Sequence, residues 1–162
     1  MRIDGHGWCD HLRLLSPLFG LITAVWALRL IMDLAGTPAM IVRVVSVGVA
    51  GAVSVLVAAF LIHLKRFGSY RSVLAAAFLL ICGEQLLIVL AIFFAALTGT
   101  TNVYSATEYA HGLSPARHIA SHLIFGVTFG WIFAGAMGCL VLWMLRRLVP
   151  TEVTSQPGKS QP

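Results

Sequence analysis

Apolar residues in this chain neither alternate with polar ones nor keep to one helical face. They run on in four long blocks, roughly Leu14–Met32, Ala39–Ile62, Val73–Leu97 and Ile119–Leu145. Each block is about the twenty residues that an α-helix needs to cross a hydrocarbon core of about 30 Å. Strands are a poor fit, since runs of this length show no period of two. The punctuation between blocks is helical as well. Thr37-Pro38 and Ser114-Pro115 open the second and fourth blocks, each as an N-cap residue followed by proline in the first turn. The pattern predicts an all-α fold, a four-transmembrane-helix up-down bundle with helices over about 14–34, 38–63, 72–98 and 115–147, in one domain spanning 1–148.

The connections differ in length. Asp33–Pro38 and His63–Ser72 are short, whereas Thr98–Arg117 is a loop of about twenty residues, long enough to expect a role or local structure of its own. The segment 149–162 (VPTEVTSQPGKSQP) is polar and rich in proline and serine, which predicts a disordered tail.

Composition turns the helix assignment into a membrane assignment. Hydrophobic residues make up 59% of the chain and charged residues 10%, against roughly 45–50% and 25% in soluble domains. The net charge of +5 raises the question of nucleic acid, but the basic residues flank apolar blocks and form no basic-aromatic surface. Arg2, Arg13, Lys65, Arg66, Arg71, Arg146, Arg147 and Lys159 fall on one side of the predicted bundle, and Arg117 alone falls in the loops of the other. That asymmetry predicts both termini in the cytoplasm, with the chain in the cell membrane as a bacterial inner-membrane protein. A cleaved leader ending near Thr37-Pro38-Ala39 is disfavoured by Asp4 and Asp10 before the first block and by Arg29 and Asp33 near the cut. Cys9, Cys82 and Cys139 are scattered and match no disulfide or zinc pattern.

Candidate chemistry lies in the ionisable residues that a membrane helix should not contain. These are Arg29 and Asp33 in the first helix, Arg43 in the second, Glu84 beside Gln85 in the third, and His118 and His122 in the fourth. In the fourth block His118, His122, Gly126, Gly130, Ala134 and Gly138 recur every four residues and so share a ridge of small residues, suited to close packing within the bundle or between copies. Arg43 shares a stripe with Ser46, Ala50 and Ser54, and Glu84 points with Ala77, Ala91 and Ala95. The long loop adds Asn102, Tyr104, Glu108, Tyr109 and His111 above this layer. A polar pocket at the outer face follows, with a buried carboxylate beneath it.

Two chemistries fit such a pocket. His118 and His122, at i and i+4, reach one point, and His111 and Glu108 could complete a set of nitrogen and oxygen ligands for zinc, copper or iron. Haem is a lesser fit, because His63 lies at the opposite end and no other helix offers a second histidine at the right depth. Alternatively, Glu84 is costly to ionise among apolar neighbours and so could take up and release a proton. Its bland counterpart is a structural ion pair with Arg43 or Arg29, and Arg29 with Asp33 forms an i, i+4 pair at a helix end. His6, Cys9 and His11 offer a weaker metal option on a short, mobile amino-terminal segment. The expected function is binding of a metal ion or small polar ligand at the outer face, with Glu84 as a proton site. The other class is a non-catalytic membrane subunit that enters a homo-oligomer or a larger complex. No catalytic signature is present, so an enzyme is the lesser reading.

Overall fold

A computed structural model of the chain describes residues 2–106 and 112–148. Four helices are long and apolar enough to cross a membrane, Trp8–Leu34, Ala39–Leu64, Tyr70–Thr98 and Pro115–Leu148, as in a multi-pass membrane protein. Two of them are interrupted, and the interruptions shape the interior.

The chain opens with a small antiparallel hairpin, β1 (Arg2–Ile3) and β2 (His6–Gly7), paired Ile3 to His6 and Arg2 to Gly7. Its two turn residues, Asp4 and Gly5, have φ of 51° and 85°. Positive φ at both central positions is the type I′ geometry whose twist matches that of paired strands, and Asp-Gly is a preferred pair for it. The segment expected to be mobile is therefore folded. Helix α1 (Trp8–Leu34) follows at once and starts six residues before the expected boundary near residue 14. The Asp10 carboxylate accepts the Gly7 backbone N–H at 2.8 Å and so helps to close its first turn.

The second span breaks. Helix α2 (Ala39–Val44) stops, and α3 (Val47–Leu64) restarts with the Ser46 hydroxyl accepting the Val49 N–H at 3.3 Å. The residues Ile41, Val42, Val44 and Val45 are β-branched and hold a helix poorly, and Ser46 supplies the new N-cap. The break overturns one expectation. Arg43 is exposed on α2 and is not carried on a buried stripe with Ser46 and Ser54, because the helical phase is lost between them.

Helix α4 (Tyr70–Thr98) is continuous and ends at Gly99 in the left-handed conformation, where glycine has no Cβ penalty. The last span runs as α5 (Pro115–Ser121), a single π turn (His122–Gly126) and α6 (Val127–Leu148). Small residues set how closely it meets α4. A methyl on Gly126 would overlap the Gln85 amide oxygen; one on Gly130 would lie 3.0 Å from Ile81, and one on Gly138 2.9 Å from Val73. As numbers rise along the last span, those along α4 fall. Ala134 is buried on the same ridge, so the small residues predicted for packing are used inside the chain. Leu15, Ile22, Val55, Ile62, Leu80, Ile92 and Leu142 fill the core between the helices.

The bundle has two different ends. At one, called here the hairpin end, Asp4 Oδ2 accepts hydrogen bonds from Ser69 N (2.7 Å), Ser69 Oγ (2.6 Å) and Ser72 Oγ (2.8 Å) at the start of α4. These donors hold the Asp4 carboxyl down at about 2. His6 stacks on Phe67 at 3.9 Å, and buried His11 meets the same ring edge-on at 4.9 Å. At the other, the plug end, the loop after α4 folds back over the helices.

Candidate functional site

The plug end is built around Asn102. Its side-chain oxygen accepts the Tyr104 and Ser105 N–H groups at 2.9 and 3.1 Å, and its amide donates to the Ala91 carbonyl at 2.8 Å. Asn102 thus makes a local turn of the kind its side chain favours and ties that turn to α4. Asp33 fixes the other side, accepting the Val103 N–H at 2.8 Å. An aspartate expected to pair with Arg29 across one helical turn accepts a hydrogen bond from a loop 70 residues away. With both ties made, Val103 and Tyr104 are pressed into the bundle and are almost fully buried.

Beneath them lies a cavity of about 210 Å³ lined by Arg29, Val47, Gly48, Ile88, Val103, Tyr104, His118 and His122. The Arg29 guanidinium sits over the Tyr104 ring at 5.1 Å, a cation–π arrangement. Burial pushes the Tyr104 phenol up to about 12, against the opposing pull of Arg29. The hydroxyl therefore stays protonated and presents a donor. His118 is buried and His122 half-buried, with ring centroids 5.0 Å apart.

The π turn begins at His122. Such turns wind one extra residue into a helix and often sit at functional positions. Here the ring reaches across to α4, where His122 Nδ1 lies 2.8 Å from Gln85 Oε1. Gln85 Nε2 in turn donates to Glu84 Oε1 at 3.3 Å. With a carbonyl oxygen able only to accept, His122 Nδ1 carries the proton in this arrangement.

Glu84 ends the chain of contacts. It is buried, and its Oε2 has no hydrogen-bond partner. The carboxylate fits because of a glycine on α3, Gly51, with Gly48 beside it. A methyl on Gly51 would overlap Glu84 Oε2, and one on Gly48 would lie 3.7 Å from Oε1. Gly48 and Gly51 were not among the residues singled out from sequence. The signal was available in the Gly-x-x-Gly spacing of Val47–Ala52, which places both on one helical face.

Glu84, Gln85, His118, His122, Arg29 and Tyr104 are therefore brought to one region, and Arg43 is exposed on α2. Of the four residues proposed as metal ligands, His118 and His122 adjoin each other; His111 and Glu108 lie outside the described residues, as does the tail 149–162. Among the described residues no group of three or more His, Cys, Asp or Glu side chains is placed to hold a metal ion. His6 lies against Phe67, as does His11, and the weaker amino-terminal option is not assembled either. The chain matches no family model, no curated protein and no solved structure.

Proposed function

We propose that the chain is a four-span up-down membrane protein with both termini cytoplasmic. Its plug-end cavity binds a small polar ligand, and Glu84 carries a proton linked to that binding. The observation that carries this reading is the unpartnered Glu84 oxygen seated against Gly51. An ionised oxygen without donors in an apolar interior is costly, and protonation relieves the cost.

A physical link from proton to cavity follows from the hydrogen-bond chain. With Glu84 ionised, Gln85 donates to it and accepts from His122 Nδ1, leaving Nε2 as an acceptor toward the cavity. With Glu84 protonated, its O–H donates to the Gln85 carbonyl once the amide turns over. The amide N–H then donates to Nδ1, and the histidine proton moves to Nε2. The cavity thus gains a donor when Glu84 gains a proton. Arg29 and the Tyr104 hydroxyl are donors in both states, so the chamber suits a small ligand rich in acceptors, taken up with a proton.

A zinc, copper or iron ion held by His118, His122, His111 and Glu108 is the second reading, supported by the 5.0 Å spacing of the two imidazoles. Arg29 on the same cavity wall disfavours it, because a fixed cation repels another at short range.

Infrared difference spectra of the reconstituted protein, recorded across a pH titration, test the proton site. The wild type should show a protonated carboxyl band that titrates, is lost in Glu84→Gln and shifts in His122→Ala. A Glu84 that stays ionised throughout, or a band that survives Glu84→Gln, would sink the reading. Metal content of the purified protein separates the second reading from the first.

A further inference from the structure

A groove of about 440 Å³ opens at the hairpin end, bounded by Arg2, Ile3, Asp4 and Trp8 of the amino-terminal segment, Arg71, Leu74, Ala75 and Phe78 of α4, and Trp131 of α6. It lies outside the plug-end chamber, and none of its residues serves there. Its chemistry is graded along its length. Arg2 and Arg71 are exposed at the mouth, and the floor is apolar, with Leu74 38% and Phe78 41% exposed. Trp8, 39% exposed, and half-buried Trp131 complete the walls.

The polar groups of the groove that could satisfy each other have already done so. The Asp4 carboxylate accepts three hydrogen bonds from Ser69 and Ser72, and Trp131 Nε1 donates to the Leu74 carbonyl at 3.0 Å. The groove also holds two exposed guanidiniums, Arg2 and Arg71, the second attracted by the Asp4 charge; guanidinium is the side chain best suited to grip a phosphate by parallel hydrogen bonds. Tryptophan beside arginine at the end of apolar helices is the arrangement of a membrane–water boundary. Basic pockets there select anionic headgroups.

We propose that this groove binds an anionic phospholipid of the leaflet at the hairpin end, its phosphate between Arg2 and Arg71 and one acyl chain laid over Leu74, Ala75 and Phe78. Charge complementarity favours this occupant over a zwitterionic lipid, which brings its own cation to the guanidiniums. The hairpin gives the site its second wall. Because Asp4 clamps the hairpin to the start of α4, Arg2 and Arg71 line the same groove.

Native mass spectrometry of the detergent-solubilised full chain tests this with phosphatidylglycerol and phosphatidylcholine of identical acyl chains. The wild type should retain phosphatidylglycerol about tenfold better or more, as expected when two arginines face one phosphate. Arg2→Gln with Arg71→Gln should abolish the preference, and Arg2→Gln alone, which leaves α4 untouched, should reduce it. Arg13→Gln with Lys65→Gln removes the same charge outside the groove and should leave it intact. Equal retention of the two lipids by the wild type, a preference that survives loss of both groove arginines, or an equal loss in the control pair would each overturn the assignment.

Discussion

The two ends of the bundle handle their carboxylates in opposite ways. At the hairpin end, where His11 Nε2 and His63 Nε2 are buried without partners, the Asp4 carboxylate is matched at short range by Ser69 and Ser72, and Arg146 nearby donates to the Gly68 carbonyl at 3.0 Å. At the plug end, polar side chains surround a cavity, and a carboxylate oxygen is left without a donor. Matched groups hold a structure in one state. Unmatched ones beside a space leave room for a proton or a ligand to change it. The contrast sets a carboxylate held by donors at one end against one lacking a donor on an oxygen at the other.

The strongest way to break that contrast is to remove the room. Gly51→Ala should destabilise the protein by about 1–3 kcal/mol, the usual cost of overpacking a filled interior, because the new methyl competes with the Glu84 carboxylate. Thermal unfolding in detergent would show it. Adding Glu84→Ala should recover most of the loss, since the two changes share one space and cannot be additive. Full additivity would mean that Gly51 matters for some other reason.

A smaller effect should come from loosening the plug. Asn102→Ala removes the acceptor for the Tyr104 and Ser105 N–H groups and the donor to Ala91, which should cost about 1–2 kcal/mol. Faster hydrogen exchange should appear at Val103 and Tyr104, with the hairpin end unaffected. Exchange that quickens equally at both ends would erase the distinction.

The smallest effect belongs to Asp4, whose carboxylate is exposed. Asp4→Ala should cost about 1 kcal/mol or less, the low end of helix-capping effects at a solvated site. Its folded-state pKa of about 2 lies below the ordinary 3.8. The contribution is therefore complete above pH 3.8 and fades as pH falls from there toward 2. Trp8 fluorescence would report release of the hairpin over that window in the wild type, and no such step in the variant.

The outline of this molecule was legible because long apolar blocks carry so much of it. Unbroken hydropathy, however, conceals where a helix stops. Nothing in the hydropathy of Ala39–Ile62 marks the gap between Val44 and Val47, which depends on β-branching and on one serine turning inward to cap. The four-residue spacing picked out Gly126, Gly130 and Gly138, whose close neighbours include side chains of α4. It could not show the π turn, because one extra residue in a helix changes phase without changing composition. Glu84 and His122 were visible as costly residues, but the link between them runs through Gln85, whose amide is ordinary until its two neighbours are placed. The Asp4-Gly5 hairpin was open to inspection in the sequence. Its strands are two residues each, too short to register as a pattern.

The Asp4 clamp has a consequence for how the chain is made. Its partner Ser69 lies 65 residues later, beyond two complete spans. During synthesis Asp4 therefore emerges before α1, and its partner only after α3 is complete. The hairpin and the start of α4 must then be on the same side of the membrane for the clamp to close. A chain that left the amino-terminal turn and the start of α4 at opposite ends of the bundle could not make these bonds.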